Sequence, residues 1–73
     1  MRKRIQISEL QSFDIGDVLF FKSAPHVRGI VQDCSGFVSR VYFYDVYGDF
    51  APQTLTLSNF DLLAQVSHIE RAH

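Results

Sequence analysis

The stretch DVLFFKSAPHVRGIVQD, residues 17–33, sets the fold that we expect for this chain. It contains two apolar runs, DVLFFK (17–22) and VRGIVQD (27–33), and the turn-forming segment SAPH separates them. Both runs are short and rich in β-branched and aromatic residues, which is typical of strands. The stretch therefore predicts two neighbouring strands joined by a turn.

The rest of the chain continues this pattern. Three further runs predict strands: FVSRVYFY (37–44), QTLTL (53–57) and LLAQVS (62–67). The segment SNFD before the last run predicts a single tight helical turn. No helical repeat continues beyond one or two turns, so an all-β domain is expected.

Five short antiparallel strands would expose two edges as an open sheet, and closing the sheet removes them. We therefore predict a single five-stranded antiparallel barrel over residues 13–73, with one helical turn before the last strand. Residues 1–12 are expected to form an N-terminal extension or a short strand.

Alternation assigns the side chains of each strand to two faces. Val18 and Phe20 share one face of the first strand, whereas Leu19 and Phe21 share the other. We place Phe20 in the core and Phe21 outside. The outward positions of the third strand are Arg40, Tyr42 and Tyr44. The other side chains predicted to line the interior are Val31, Phe37, Val41, Phe43, Leu55, Leu57 and Phe60.

Charge and cysteine content limit the functional classes. Seven Lys and Arg against eight Asp and Glu give a formal charge of −1, so no overall positive field attracts phosphate or anionic lipid. The basic cluster of residues 2–4 is expected to be solvated. Cys34 is the single cysteine and cannot form an internal disulfide, which favours a cytoplasmic protein. No apolar run approaches the roughly 20 residues of a membrane helix, so no membrane contact is expected.

The segment FDIGDVLFFKSAPHVRGIVQD, residues 13–33, resembles the opening of SH3-like small barrels, especially those of the KOW type. In that type Gly-Asp precedes the first strand and Gly-x-Val opens the second. Gly16, Asp17, Gly29 and Val31 match these positions. The segment TLTLSNFDLLAQV is similar to the end of such barrels, so the resemblance covers residues 13–67 and implies the barrel fold.

The segment VYFYDVYG, residues 41–48, looks like the Tudor pattern of an alternating strand followed by Asp-Tyr-Gly. Here Val46 separates Asp45 from Tyr47. Tudor-type barrels build aromatic cages from residues in these places, and such cages attract methylated ammonium or guanidinium groups through cation–π interactions. The resemblance therefore adds a cage to the possible roles of the aromatic residues.

Signals for catalysis and for cofactors are absent from the sequence. Five aspartates lie at predicted strand ends and turns, where we expect them to accept hydrogen bonds from turn amides and to remain solvated: Asp14, Asp17, Asp33, Asp45 and Asp49. Cys34 lies in a predicted turn, and neither His26 nor His68 has a signature that would pair it with this thiol. One Cys and three scattered His lack the spacing of metal ligands. We therefore expect a protein that is not an enzyme and has no cofactor.

The aromatic residues remain as candidates for function. Tyr42 and Tyr44 are expected on the outer face, and Tyr47 and Phe50 are expected there or in the following loop, where they cap the barrel or contact a partner. We predict a small, non-enzymatic protein-binding or regulatory domain of a bacterial or phage type. Its contacts would use these aromatics or a strand edge, and strand edges could also form a homo-oligomer. The candidate binding residues are Phe21, Arg40, Tyr42, Tyr44, Tyr47 and Phe50.

The alternative is a KOW-like nucleic-acid-binding barrel. Lys22, Arg28 and Arg40 could lie near Tyr42 and Phe21, and basic residues interleaved with aromatics are what a base-stacking platform needs. Three charges make a small footprint, so binding to nucleic acid is expected to be weak.

Overall fold

The computed structural model of the protein describes residues 2–72. Six strands, a short 3-10 helix (Ile7–Glu9) and one α-helix form the domain. The elements are β1 (Arg2–Gln6), β2 (Val18–Phe21), β3 (Val27–Cys34), β4 (Val38–Asp45), β5 (Gln53–Ser58), α1 (Asn59–Gln65) and β6 (Val66–Ala72). The prediction of an all-β domain is confirmed.

The strands form one antiparallel sheet in the order β1-β6-β2-β3-β4-β5. Within residues 2–72 the edge strands β1 and β5 do not pair with each other, so the sheet is open. The prediction of five strands in a closed barrel is therefore wrong, because the structure has six strands in an open sheet. The extra strand is β1, where Ile5 lies opposite Ile69 and packs against the core. Of the N-terminal segment, for which we expected an extension or a short strand, residues 2–6 are thus part of the sheet.

The core lies between the inner face of the sheet and α1. Its buried hydrophobic residues come from four strands, the segment before β2 and the helix: Phe13, Leu19, Val31, Val41, Leu62, Val66 and Ile69. Among residues 2–72, no helix has the length and apolar character needed to cross a membrane.

The face assignment of β2 is corrected. Leu19 is fully buried in the core, and Phe21 packs against the core from the same face. Phe20 therefore lies on the outer face. Both alternating sets of VLFF are apolar, so the period of two separates the sets correctly but does not say which one faces inward.

Three residues assigned to the interior are exposed instead. Phe37 is 85% exposed because β4 begins one residue later, at Val38, and its inward positions start at the buried Ser39. Phe60 is 80% exposed because it lies in the first turn of α1, where Leu62 takes the buried position. Leu55 is on edge strand β5 and remains partly exposed.

The helix is longer than the predicted turn, and the last strand starts later. The Oγ of Ser58 accepts hydrogen bonds from the backbone N–H groups of Phe60 (3.1 Å) and Asp61 (3.4 Å), which caps the helix N-terminus. The helix ends at Gln65, and β6 follows at Val66 without an intervening loop. Residues 62–65, predicted as the start of a strand, are thus helical.

Candidate binding surface on the outer face

The outer face is the side of the sheet opposite the core. Alternation places on it the side chains of Val18, Phe20, Arg28, Ile30, Arg40, Tyr42, Tyr44, His68 and Glu70. Most of these side chains are half-buried, because they pack against one another across neighbouring strands. The face is therefore a continuous aromatic and basic surface.

One row of this face crosses five strands. Gln6 lies opposite His68, His68 opposite Phe20, Phe20 opposite Arg28, and Arg28 opposite Tyr44. The order of strands brings together residues that are far apart in the chain. No short stretch of the sequence therefore indicates that these residues lie together.

The centre of the row is a three-layer stack. The rings of Phe20 and His68 are 4.3 Å apart between centroids and only 12° from parallel. The guanidinium carbon of Arg28 lies 4.4 Å from the centroid of the Phe20 ring, in cation–π geometry. Because β6 and β3 flank β2 on opposite sides, His68 and Arg28 cover opposite faces of this ring.

Backbone carbonyls hold Arg28 in place. Its Nη1 donates hydrogen bonds to the carbonyl oxygens of Pro25 and Val27. These bonds fix the guanidinium group between the turn before β3 and the ring of Phe20. Arg28 is thus part of a preorganised surface.

The pKa of His68 is lowered from its ordinary value of 6.5. Partial burial is the largest cause, and the positive charges of Arg4 and Arg28 act in the same direction against the opposing charge of Glu70. The Oγ of Ser67 lies 3.0 Å from Nδ1 of His68, and a hydrogen bond joins them. The stack at neutral pH therefore contains a neutral imidazole and one cation, Arg28.

Tyr42 and Tyr44 form a second aromatic pair beside this stack. Their ring centroids are 6.1 Å apart and their planes differ by 35°. Phe43, the residue between them, packs against the core, and Val41 before them is buried in it, which confirms that the two tyrosines point outward. Arg40 is exposed on the same face, as predicted.

The two loop aromatics lie apart from this pair. Tyr47 is 77% exposed, and its nearest aromatic ring contact is with His26, at 6.1 Å between centroids. The carboxylate of Asp45 accepts hydrogen bonds from the N–H groups of Tyr47 (3.1 Å) and Asp49 (2.9 Å) and so fixes the loop. Phe50 is exposed further along it. The predicted site thus divides into a sheet group and a loop group.

Phe21 is the predicted site residue that lies on the opposite face. Its ring packs against Phe43, with 5.5 Å between centroids. Together with Leu57 and Leu62 it lines an open apolar groove of about 330 Å³ between the sheet and α1, where Asp61 is the charged residue. The prediction that Phe21 lies near Arg40 on the outer face is wrong, because Phe21 shares the inward face of β2 with the buried Leu19.

Charge is distributed unevenly over the domain. The outer face carries four arginines and two carboxylates, namely Arg2, Arg4, Arg28, Arg40, Asp33 and Glu70. The other acidic residues lie off this face: Asp45 is buried at the end of β4, Glu9 and Asp61 lie in the two helices, and the rest lie in loops. The formal charge of −1 is a sum over the whole chain and does not show that basic and acidic residues lie on different sides. The sequence therefore did not indicate a basic face.

The remaining candidates for chemistry are engaged in structural contacts. Cys34 donates from Sγ to the carbonyl oxygen of Phe13 at 3.4 Å. The rings of His26 and His68 contact Tyr47 and Phe20. No three His, Cys, Asp or Glu side chains within residues 2–72 come together as a metal site would require.

The function of the chain must be argued from the geometry of the outer face. Comparisons with models of protein families, with curated proteins and with solved structures gave no match.

Proposed function

We propose that this chain is a small non-enzymatic binding module that contacts another protein through its outer face. The observation that carries the proposal is the Tyr42–Tyr44 pair lying beside the preorganised stack of Arg28, Phe20 and His68. Aromatic residues and arginine are enriched in protein interfaces and dominate their energetics. Both kinds of side chain are already partly ordered here, which lowers the entropy lost on binding.

The charge of the face indicates the partner's chemistry. Four arginines against two carboxylates favour a partner that is acidic where it meets Arg28 and Arg40. Complementary charge increases the rate of association and selects among partners more than it adds affinity. Tyr47 and Phe50, in the loop after β4, would form the rim of this surface.

The resemblance to SH3-like domains is also a proposal, and the glycines of its motif support it. Gly16 has φ of 92° in the turn before β2, a conformation that favours glycine. Gly29 lies where an added Cβ would meet Val41 and Phe21. The domain would act in the cytoplasm, as a regulator of bacterial or phage type, which the unpaired Cys34 supports.

Single-stranded nucleic acid is the second candidate ligand, and the excess of arginine on the outer face favours it. The geometry of the stack opposes it. His68 and Arg28 already cover both faces of the Phe20 ring, so no base can stack on Phe20 without displacing one of them. On the sheet itself, Tyr42 and Tyr44 are left for bases to stack on.

Capture of partners from the native host, with and without nuclease, tests the proposal. We expect a protein partner that survives nuclease treatment. Against that purified partner, Tyr42→Ala and Tyr44→Ala should each weaken binding by at least about 1 kcal/mol. The matched control is Phe60→Ala, which removes an aromatic side chain that is 80% exposed and lies away from the outer face.

Thermal melts of the same variants separate binding from folding. Tyr42→Ala and Tyr44→Ala that stay folded and bind as well as wild type would exclude the outer face as the binding surface. Capture lost on nuclease treatment, together with weaker binding of single-stranded DNA by a combined Lys22→Gln, Arg28→Gln and Arg40→Gln variant, would favour the nucleic-acid candidate.

A further inference from the structure

We propose that two copies of this chain pair through β5, antiparallel and side by side, so that their sheets become one. β5 is hydrogen-bonded to β4 on one side. On its other side it pairs with no strand of residues 2–72. A free edge of this kind presents a row of N–H and C=O groups to any strand that can align with it.

The two edges of the sheet differ in a way that selects β5. The edge strand β1 contains three consecutive basic residues, Arg2, Lys3 and Arg4. Charges at an edge repel a second copy and are a common protection against edge pairing. The sequence of β5, QTLTLS, contains no charge and no proline. One edge is therefore protected, and the other is open to pairing.

A second copy fits this edge because β5 is complementary to itself. Thr54 and Thr56 lie on the outer face, and Leu55 and Leu57 lie on the inner face. When Thr56 lies opposite its own copy on a twofold axis, Leu55 lies opposite Leu57 of the second copy and Thr54 lies opposite Ser58. Every pair is then of like chemistry, and both inner faces stay on the same side.

Exposed apolar side chains near β5 also support a second copy of the chain as the partner of this edge. Phe50 precedes the strand and is 41% exposed, and Phe60 follows it and is 80% exposed. In the register above, the end of β5 in one copy lies beside the start of β5 in the other, so Phe60 of one copy and Phe50 of the other flank each end of the interface. The pairing also covers Leu55, which is 41% exposed in the single chain.

The expected dimer is weak. Five residue pairs and two flanking aromatics from each copy form an interface at the small end of the range for specific complexes, so dimerisation should depend on concentration. The outer faces of the two copies would lie side by side. A partner with two binding segments would then engage both faces and bind with greater avidity.

Sedimentation velocity at rising protein concentration tests the dimer, with Thr56→Glu as the informative variant. Thr56 lies opposite Arg40 across β4 and β5, so a glutamate is favourable within one chain. Across the twofold axis it would meet a second glutamate, and dimerisation should weaken by at least about tenfold. Gln32→Glu adds the same charge at an exposed position of β3 and should leave the dimer unchanged.

A mixture of chains tests the register. Thr56→Glu mixed with Thr56→Lys should restore the dimer, with one chain of each kind, because position 56 meets itself in the proposed pairing. Circular dichroism and thermal melts establish that each variant is folded. The proposal is overturned if wild type stays monomeric at every concentration, if Thr56→Glu dimerises as wild type does, or if the folded variants do not pair when mixed.

Discussion

The guanidinium group of Arg71 donates two hydrogen bonds to the carboxylate of Asp17, a residue 54 positions away in the chain. Nε and Nη2 of Arg71 each lie 2.9 Å from one carboxylate oxygen of Asp17, which is only 1% exposed. The backbone N–H of Asp14 donates to the same carboxylate at 2.8 Å, and Arg71 also donates to the carbonyl oxygen of Ser12 at 3.0 Å. The contact joins the end of β6 to the turn before β2.

We expect Asp17→Asn to lower the free energy of unfolding by about 3 kcal/mol, because it removes one partner of a largely buried ion pair. Arg71→Lys should lose less, since it keeps the charge but not the two parallel bonds. Asp14→Asn is the control, because Asp14 is exposed and lies 3.3 Å from Arg71, and it should change stability by less than about 1 kcal/mol. Urea denaturation measures all three, and equal losses for Asp17→Asn and Asp14→Asn would contradict this account.

The aspartates show how far turn chemistry can be read from sequence. Asp17, Asp33 and Asp45 accept hydrogen bonds from nearby backbone amides, as predicted. The expectation that they remain solvated is wrong for Asp17 and Asp45, which are buried. These bonds are local, so residue type and position indicate them. The pairing of Asp17 with Arg71 depends on β6 lying beside β2, and no local pattern reveals that order of strands.

The second prediction concerns the inner and outer faces of β2. Leu19→Ala should destabilise the domain by about 3 kcal/mol, because it leaves a cavity in the core. Phe20→Ala removes a larger side chain but from the half-buried outer face, and should cost at least about 1 kcal/mol less. Chemical denaturation of both variants decides between the faces. A larger loss for Phe20→Ala would mean that Phe20, and not Leu19, faces the core.

Strand positions were largely predictable, and the composition of the site was not. Strands β3, β4 and β5 lie within a residue or so of their predicted bounds, because their alternating and β-branched runs end at clear turns. Tyr42 and Tyr44 followed from alternation in β4. The stack of Phe20, Arg28 and His68 required the strand order, and the helical start of LLAQVS depended on the cap formed by Ser58.

The third prediction concerns Gly29, where β3 passes close to the core. A Cβ at this position would lie 2.7 Å from Cγ1 of Val41 and 3.2 Å from Cζ of Phe21. We expect Gly29→Ala to destabilise the domain by about 1 to 3 kcal/mol through overpacking. Gly36→Ala is the matched control, because a Cβ added at Gly36 would have no atom within 4 Å outside its chain neighbours. Thermal melts that show the same change for both variants would rule out the close approach.

The last prediction concerns pH and the stack on the outer face. Burial, together with the positive charges of Arg4 and Arg28, lowers the pKa of His68 below 6.5 despite the opposing charge of Glu70. The unfolded chain, with an ordinary histidine, therefore binds the proton more tightly than the folded chain does. Stability should be fully present above about pH 6.5 and should fall as the pH decreases from there toward the lowered pKa of His68.

Replacing His68 should flatten this dependence. Between about pH 8 and pH 5, we expect the melting temperature of wild type to fall more than that of His68→Gln, whatever the absolute stability of the variant. His26→Gln is the control and should keep the wild-type slope, because it leaves the stack of Phe20, Arg28 and His68 intact. In an NMR titration, the ring protons of His68 should report a midpoint below that of an ordinary histidine. A midpoint above 6.5, or equal slopes for wild type and His68→Gln, would show that protonating His68 does not oppose folding.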